Sequence, residues 1–217
     1  LIRQIEAQGL EARACYSALL DFRPTISKFL LPDSGLPPVD ALINTMGFPL
    51  VGGMAGSKPD KAVEILQTLD VDYVGGFPLA FQGVEDWKAS DVGVMPIHVA
   101  MNIALPELDG SAQPTITGGP TLTGEKHLPL EPELKLAARR LARQARLRHK
   151  DNADKKIAVI LFNFPPNGGN VGTAAFLDVF NSLHRLLSEM RDAGYTVEIP
   201  ADGDALEVGW IWFCFAG

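Results

Sequence analysis

Cysteine is nearly absent. Cys15 and Cys214 stand near opposite ends of 217 residues, with no CxxC or Cys/His metal spacing. A disulfide framework or a zinc ribbon is therefore not expected, which suits a reducing compartment. Positive charge is also short: 19 Lys and Arg face 26 Asp and Glu, a net charge of −7. That balance argues against nonspecific nucleic-acid binding. No Gly-Lys-Ser/Thr follows any glycine-rich loop, so there is no P-loop. No run is apolar enough to cross a membrane; the apolar tail, residues 208–217, is too short and wrongly composed. If exposed, that tail is an aggregation hazard, and no function is assigned to it. No signal or transit peptide is recognisable at the start.

What is present suits a globular protein with one large or two small domains, at 47% hydrophobic and 21% charged residues. Residues 1–8 read as a helix end, with Gly9 as its stop. Residues 12–20 fit a strand or a helix, and 26–31 a short helix. Residues 39–44 read as a strand leading into a segment with four glycines in ten residues, 47–56. Glycine there lets backbone approach a ligand closely. Ser57 is placed to cap the next helix and Pro59 to open it, with Ala62, Val63, Leu66 and Leu69 on its inner face. Residues 72–77 read as the next strand.

The stretch 96–110 carries the sharpest signal. An apolar run, 99–105, reads as a buried strand or short helix stopped by Pro106 and turned by Gly110. Glu107 and Asp109 then stand on a loop at the end of a buried element, where binding groups often sit. The plainer alternative is a turn with a solvated rim acid. His98 leads into the run and reads first as a satisfied core residue.

Residues 111–130, rich in Gly, Thr and Pro, read as a loop or short hairpin arm. Residues 131–150 form a helix with Glu131 and Glu133 at its start and Arg146, Arg148 and Lys150 at its end, matching its dipole. Residues 135–156 hold nine Lys or Arg against two Asp, which reads as a solvated face or an acidic partner's dock. Residues 151–156 read as a linker. Residues 157–162 (IAVILF), a helix over 173–191 and residues 195–199 read as a βαβ unit with a parallel sheet. Asn167 through Gly172 nearly spells GxGxxG, but Asn167 replaces the first glycine and Glu198 comes too late, so nucleotide binding is weakly indicated.

Four segments then carry a resemblance: Pro106-Glu107-Leu108-Asp109-Gly110, residues 45–53 (TMGFPLVGG), Pro78-Leu79-Ala80-Phe81-Gln82 with Trp87, and the FPP…GNVGTAA loop over 164–175. In order and spacing they resemble the large porphyrin-binding subunit of magnesium chelatase and, more distantly, of cobaltochelatase. That subunit is several times longer, so this chain, beginning at Leu1, is expected to be a fragment. Two departures stand out: residues 18–21 are Ala-Leu-Leu-Asp where the family has a glycine pair, and Met54 replaces a proline.

The resemblance implies an α/β fold with parallel sheet layers and flanking helices, Rossmann-like or flavodoxin-like. The expected divisions are 1–130 (α/β domain), 131–156 (basic helix and linker), 157–200 (βαβ unit) and 201–217 (tail). The implied substrates are Mg²⁺ and protoporphyrin IX, in chlorophyll biosynthesis. ATP is implied only through an AAA+-type ATPase subunit and a bridging subunit. The location that the resemblance implies is the plastid stroma or the cytoplasm of a photosynthetic organism. Insertion must strip water from a hard cation and remove two pyrrole protons, which a partly buried carboxylate can assist. Glu107 is the expected metal-handling base, with Asp109 and His98 as further catalytic candidates. Phe48, Gly52, Gly53, Phe81, Gln82, Trp87 and Asn170 are expected to line the porphyrin site. The alternatives are a cobaltochelatase fragment of cobalamin biosynthesis and a non-catalytic tetrapyrrole-binding module.

Overall fold

Four short strands and the helices between them organise the first 148 residues. The structure, a computed structural model, describes residues 1–31, 33, 35, 38–163, 171–172 and 177–206. Asn170, most of the loop around it, and the tail with Cys214 lie outside the described residues. The chain divides into two units, Leu1–Arg148 and His149–Gly217.

The first unit opens with α1 (Ile2–Glu6) and α2 (Arg23–Phe29), then β1 (Ala41–Asn44), α3 (Pro59–Leu69) and β2 (Asp72–Pro78). Next come α4 (Val84–Ala89), a composite helix over 96–108, β3 (Ala112–Pro120), β4 (His127–Pro129) and α7 (Glu131–Arg148). The composite helix comprises α5 (Pro96–His98), a π-helical segment (Val99–Ala104) and α6 (Leu105–Leu108). The sheet order is β1-β2-β3-β4; the first three strands run parallel and β4 antiparallel. The fold is α/β, as expected.

β2 is buried on both faces, which its run of apolar and glycine residues permits. Tyr73 packs with Ile26, Leu50, Val51, Ala62 and Leu69, while its neighbour Val74 packs with Ile5, Ala138 and Leu141. Successive strand residues point to opposite faces, so α2 and α3 lie against one side and α1 and α7 against the other. Three alanines of α7, Ala137, Ala138 and Ala142, are fully buried and let that helix sit close. Its ends are tied down: Gln4 donates to Glu131, and Arg146 donates to the carbonyl of Gln8.

Several sequence expectations fail here for identifiable reasons. Residues 12–20 form neither strand nor helix, and Tyr16 and Leu19 are largely exposed. Ser57 does not cap α3: Lys58 holds that position without a side-chain bond, and the Ser57 hydroxyl is buried without a partner among the described residues. Ile65, not Val63, completes the inner face of α3. The hairpin arm that is one of the two readings of residues 111–130 does form, β3 and β4 pairing antiparallel, and β3 also pairs parallel with β2, with register shifts. A Cβ on Gly119 would meet Leu79 at 2.7 Å.

In the second unit, α8 (Val179–Asp192) starts at Asp178, whose carboxylate accepts the Asn181 N–H. Residues 157–162 and 195–199 carry no strand, so the expected βαβ unit is not formed among the described residues. The apolar run there is not buried: Ile160 is 92% exposed. Strand propensity has no effect without a neighbouring ladder.

Candidate functional site

The composite helix over 96–108 organises the site. Met95 is extended and Pro96 opens the helix, where its missing N–H costs nothing. The helix then widens to π over Val99–Ala104 and closes through Pro106. An internal proline removes one backbone bond and crowds the preceding turn, and a π turn just before it relieves that crowding; such turns frequent functional sites. Pro106 therefore does not stop the element, which continues to Leu108. The apolar run is only half-buried: Val99, Ala100 and Ala104 are exposed, whereas Met101, Ile103 and Leu105 are half-buried and Ile103 packs on the Phe77 cluster. Ile97, Val99 and Leu108 are 42%, 43% and 57% exposed, whereas His98 and Pro106 face inward.

Ile97, Val99, Ala100, Ala104, Glu107 and Leu108 are all exposed, on the side of the composite helix away from buried His98 and Pro106. They make an outward apolar face that ends in a carboxylate. The partial burial expected of Glu107 is not found: it is exposed. The burial belongs to Asp109, which is 2% exposed.

The inward side is polar and fully engaged. His98 lies between two rings, Phe77 at 6.2 Å and Phe81 at 5.6 Å. The Phe81 N–H donates to His98 Nε2 at 3.3 Å, and His98 Nδ1 lies 2.8 Å from Asn102 Oδ1. Asn102 Nδ2 donates to the carbonyl of Gly47. This pattern places the His98 proton on Nδ1 and leaves neither ring nitrogen free to relay protons.

Further along, the Leu50 N–H donates to Asp109 Oδ2 at 2.7 Å, while Oδ1 is buried without a partner among the described residues. Burial pushes the Asp109 carboxyl above its ordinary range, partly opposed by the Leu50 bond. Tyr73 lies beside it. Burial raises its phenol well above the usual value and the Asp109 charge adds to that, with bonds to Asn44 and Ser111 opposing. Asn44 donates from Nδ2 to both the Tyr73 hydroxyl and the Phe48 carbonyl, each at 2.9 Å. Two side chains of the 96–110 stretch thus hold the glycine segment by its backbone, Asn102 at Gly47 and Asp109 at Leu50.

The glycine segment could not carry side chains at key points. Gly47 has φ +75°, and a Cβ there would stand 2.8 Å from both Asn102 Nδ2 and Phe77 Cβ. Gly52 has φ +87° and would clash with the Gly56 carbonyl at 1.7 Å. Gly53 is buried against Leu20, and Phe48 is half-buried.

Of the expected wall residues, Phe81 is 57% exposed. Trp87 is half-buried and packs with Phe77, Leu79, Val84 and Leu130. Gln82 accepts from the Met95 N–H and donates to the Gly93 carbonyl, so it shapes the approach to the helix. Asn44, Tyr73, Asn102 and Ser111 belong to the site although sequence reasoning did not select them. For Asn102 a signal existed, an amide four residues after a histidine within an apolar run. Among the described residues no three His, Cys, Asp or Glu converge as a metal site.

Known proteins are similar to this chain in sequence and in fold. The family profile described as CobN/Magnesium Chelatase matches residues 1–208. The chain is 41% identical over 209 residues to the chloroplastic magnesium-chelatase protein ChlH of Oryza sativa subsp. indica, covering 95% of this chain and 15% of that protein. It is 37% identical over 218 residues to the corresponding magnesium-chelatase protein of Rhodobacter capsulatus, covering 92% and 18%. It is 30% identical over 229 residues to the aerobic cobaltochelatase protein CobN of a Sinorhizobium species, covering 100% and 17%. The solved catalytic subunit of cobaltochelatase from Mycobacterium tuberculosis superposes with a TM-score of 0.77 at 29% identity, over 97% of this chain and 18% of that one.

Proposed function

The chain belongs to the CobN/magnesium chelatase family, and from that premise we propose that it is the porphyrin-binding part of a magnesium chelatase large subunit. The proposed reaction inserts Mg²⁺ into protoporphyrin IX and releases the two pyrrole protons. The carrying observation is the exposed apolar helix face that ends in Glu107. A flat macrocycle can shed water against Ile97, Val99 and Phe81, and a carboxylate at the end of that face can meet its centre. There Glu107 exchanges with water on the incoming Mg²⁺, which favours oxygen ligands and dehydrates reluctantly, and accepts one pyrrole proton, the second passing to solvent water. Asp109 and His98 serve this site by position: both are buried and hydrogen-bonded to the scaffold.

The chain spans about 15–18% of the two magnesium-chelatase relatives, so the remaining chain and the partners are part of this proposal. ATP hydrolysis is assigned to an AAA+-type subunit acting through a bridging subunit. A plastid-stromal or cytoplasmic location in a photosynthetic organism goes with the reading and is supported by the chloroplastic rice relative. No helix among the described residues is long and apolar enough to cross a membrane.

Magnesium is preferred over cobalt because identity is higher to the magnesium enzymes, 41% and 37% against 30%. The cobaltochelatase reading is the second one, favoured by the solved cobaltochelatase subunit. The test is Glu107→Gln in the complete large subunit with its partner subunits. Porphyrin binding should persist and metal insertion should fall by at least about tenfold. Unchanged insertion would remove Glu107 from the mechanism. Porphyrin binding with no insertion, even in the unaltered complex, would favour a non-catalytic tetrapyrrole-binding module.

A further inference from the structure

Three separated segments meet in one hydrogen-bonded chain. The Phe81 N–H donates to His98 Nε2 at 3.3 Å, His98 Nδ1 lies 2.8 Å from Asn102 Oδ1, and Asn102 Nδ2 donates to the Gly47 carbonyl. Both ends are backbone groups and cannot exchange roles, since an N–H only donates and a carbonyl only accepts. The Phe81 end requires a bare Nε2, hence a neutral ring with its proton on Nδ1. The Gly47 end requires the Asn102 amide nitrogen, which turns the amide oxygen toward His98. The two requirements meet at the Nδ1–Oδ1 contact and agree, so the chain of bonds has a single direction.

Phe81 depends on this chain of bonds. It follows β2 on a bend that belongs to no helix or strand. The bond to His98 is its one hydrogen bond among the described residues. Its ring is 57% exposed and lies 5.6 Å from the ring of His98, which is fully buried. An exposed aromatic on an irregular segment keeps its freedom unless something fixes it, and a ligand that must order it binds more weakly. Asn102 is itself held from behind, because Gly47 leaves no space: a Cβ there would stand 2.8 Å from Asn102 Nδ2.

We infer that Asn102 is a positioning residue of the tetrapyrrole surface: by fixing the His98 tautomer it holds Phe81 in place before the ligand arrives. The inference rests on the reading of Phe81 and the 96–108 face as that surface. Asn102 acts through His98 and Phe81, not on the macrocycle. Without its amide oxygen the Nδ1 proton loses its acceptor. The tautomer with the proton on Nε2 then sets two donors against each other at Phe81, and the tether is lost. Affinity thus depends on an amide that shares only hydrogen bonds with the residue it serves.

The test is a titration of the chain with protoporphyrin IX, run as a double-mutant cycle of Asn102→Ala and Phe81→Ala. Asn102→Ala is expected to weaken binding about fivefold, the worth of one hydrogen bond. Phe81→Ala weakens it as well, and adding Asn102→Ala to Phe81→Ala costs little more, because the first residue acts through the second. Asn102→Leu, close to asparagine in size, repeats the cycle without a cavity. Leu141→Ala, in the separate cluster with Ile5, Val74 and Ala138, should lower the melting temperature without changing affinity. Nitrogen-15 NMR of the His98 ring, read without porphyrin, should show Nδ1–H alone in the unaltered chain and mixed tautomers in both Asn102 variants. Unchanged affinity, additive losses, an unchanged tautomer, or affinity that follows melting temperature across all variants overturns the inference and leaves the tetrapyrrole reading standing. Failure of the unaltered chain to bind porphyrin overturns that reading, and the inference with it.

Discussion

Asp109 and Leu50 are 59 residues apart in sequence and joined by a 2.7 Å hydrogen bond from the Leu50 N–H to Asp109 Oδ2. The bond fastens the glycine segment to the turn that follows Glu107, so the backbone of one motif is positioned by the side chain of another. Asp109→Ala deletes the acceptor and leaves a buried N–H unpaired, at a cost of about 1–3 kcal/mol. Asp109→Asn keeps an acceptor and should lose less. Urea denaturation of both variants checks this. Equal losses would mean that the bond contributes nothing beyond packing.

Gly47 is the tightest point of the same contact. Gly47→Ala combines a left-handed backbone with a Cβ 2.8 Å from Asn102 and Phe77. The expected loss is about 2–4 kcal/mol. It should be read by thermal unfolding, with a shift of the Asn102 side-chain amide signal in NMR as the local marker.

Acid should weaken the entry to the glycine segment. Asp21 bridges to Val51, and Arg23 donates to its carboxylate at 2.6 Å. The Arg23 hydrogen bond holds the Asp21 carboxyl below its ordinary value. A depressed folded value stabilises the fold above the ordinary carboxylate range, and that contribution is lost as pH falls through the folded value. The pair is about one-third exposed, so the effect is small and screened by salt. Arg23→Ala should flatten the acid limb of a melting-temperature profile. An unchanged limb would assign the acid sensitivity to other carboxyl groups.

Glu107→Gln should leave stability within about 0.5 kcal/mol, because the side chain is exposed and holds no structural bond among the described residues. A loss as large as that of Asp109→Ala would mean that Glu107 is structural.

The helices and parallel strands of the first unit were legible because their patterns have a period. α3, β2 and α7 emerge within a few residues of where sequence puts them. Three things were hidden. β3 was legible as one arm of a hairpin with β4 but not as a parallel neighbour of β2, because its residues have poor strand propensity. The 96–108 helix reads as buried because its apolar residues are consecutive, yet Val99, Ala100 and Ala104 of the π turn face outward while His98 and Pro106 face in and Ile103 stays on the core. Residues 157–162 have every mark of a strand, but among the described residues they have no ladder to join. At the site, sequence selected both acids of the motif and could not tell which was buried. That difference depends on Leu50, a residue from a distant segment.

The most direct measurement is a porphyrin titration of this chain, read by the shift of the porphyrin absorbance band, in the unaltered protein and in Ile97→Asp and Val99→Asp. Both positions are exposed, so a charge there should leave the fold intact while opposing an apolar ligand. The account predicts saturable micromolar binding, weakened about tenfold or more by either aspartate at an unchanged melting temperature. Undiminished binding in both variants would contradict the assignment of the 96–108 face as the tetrapyrrole surface.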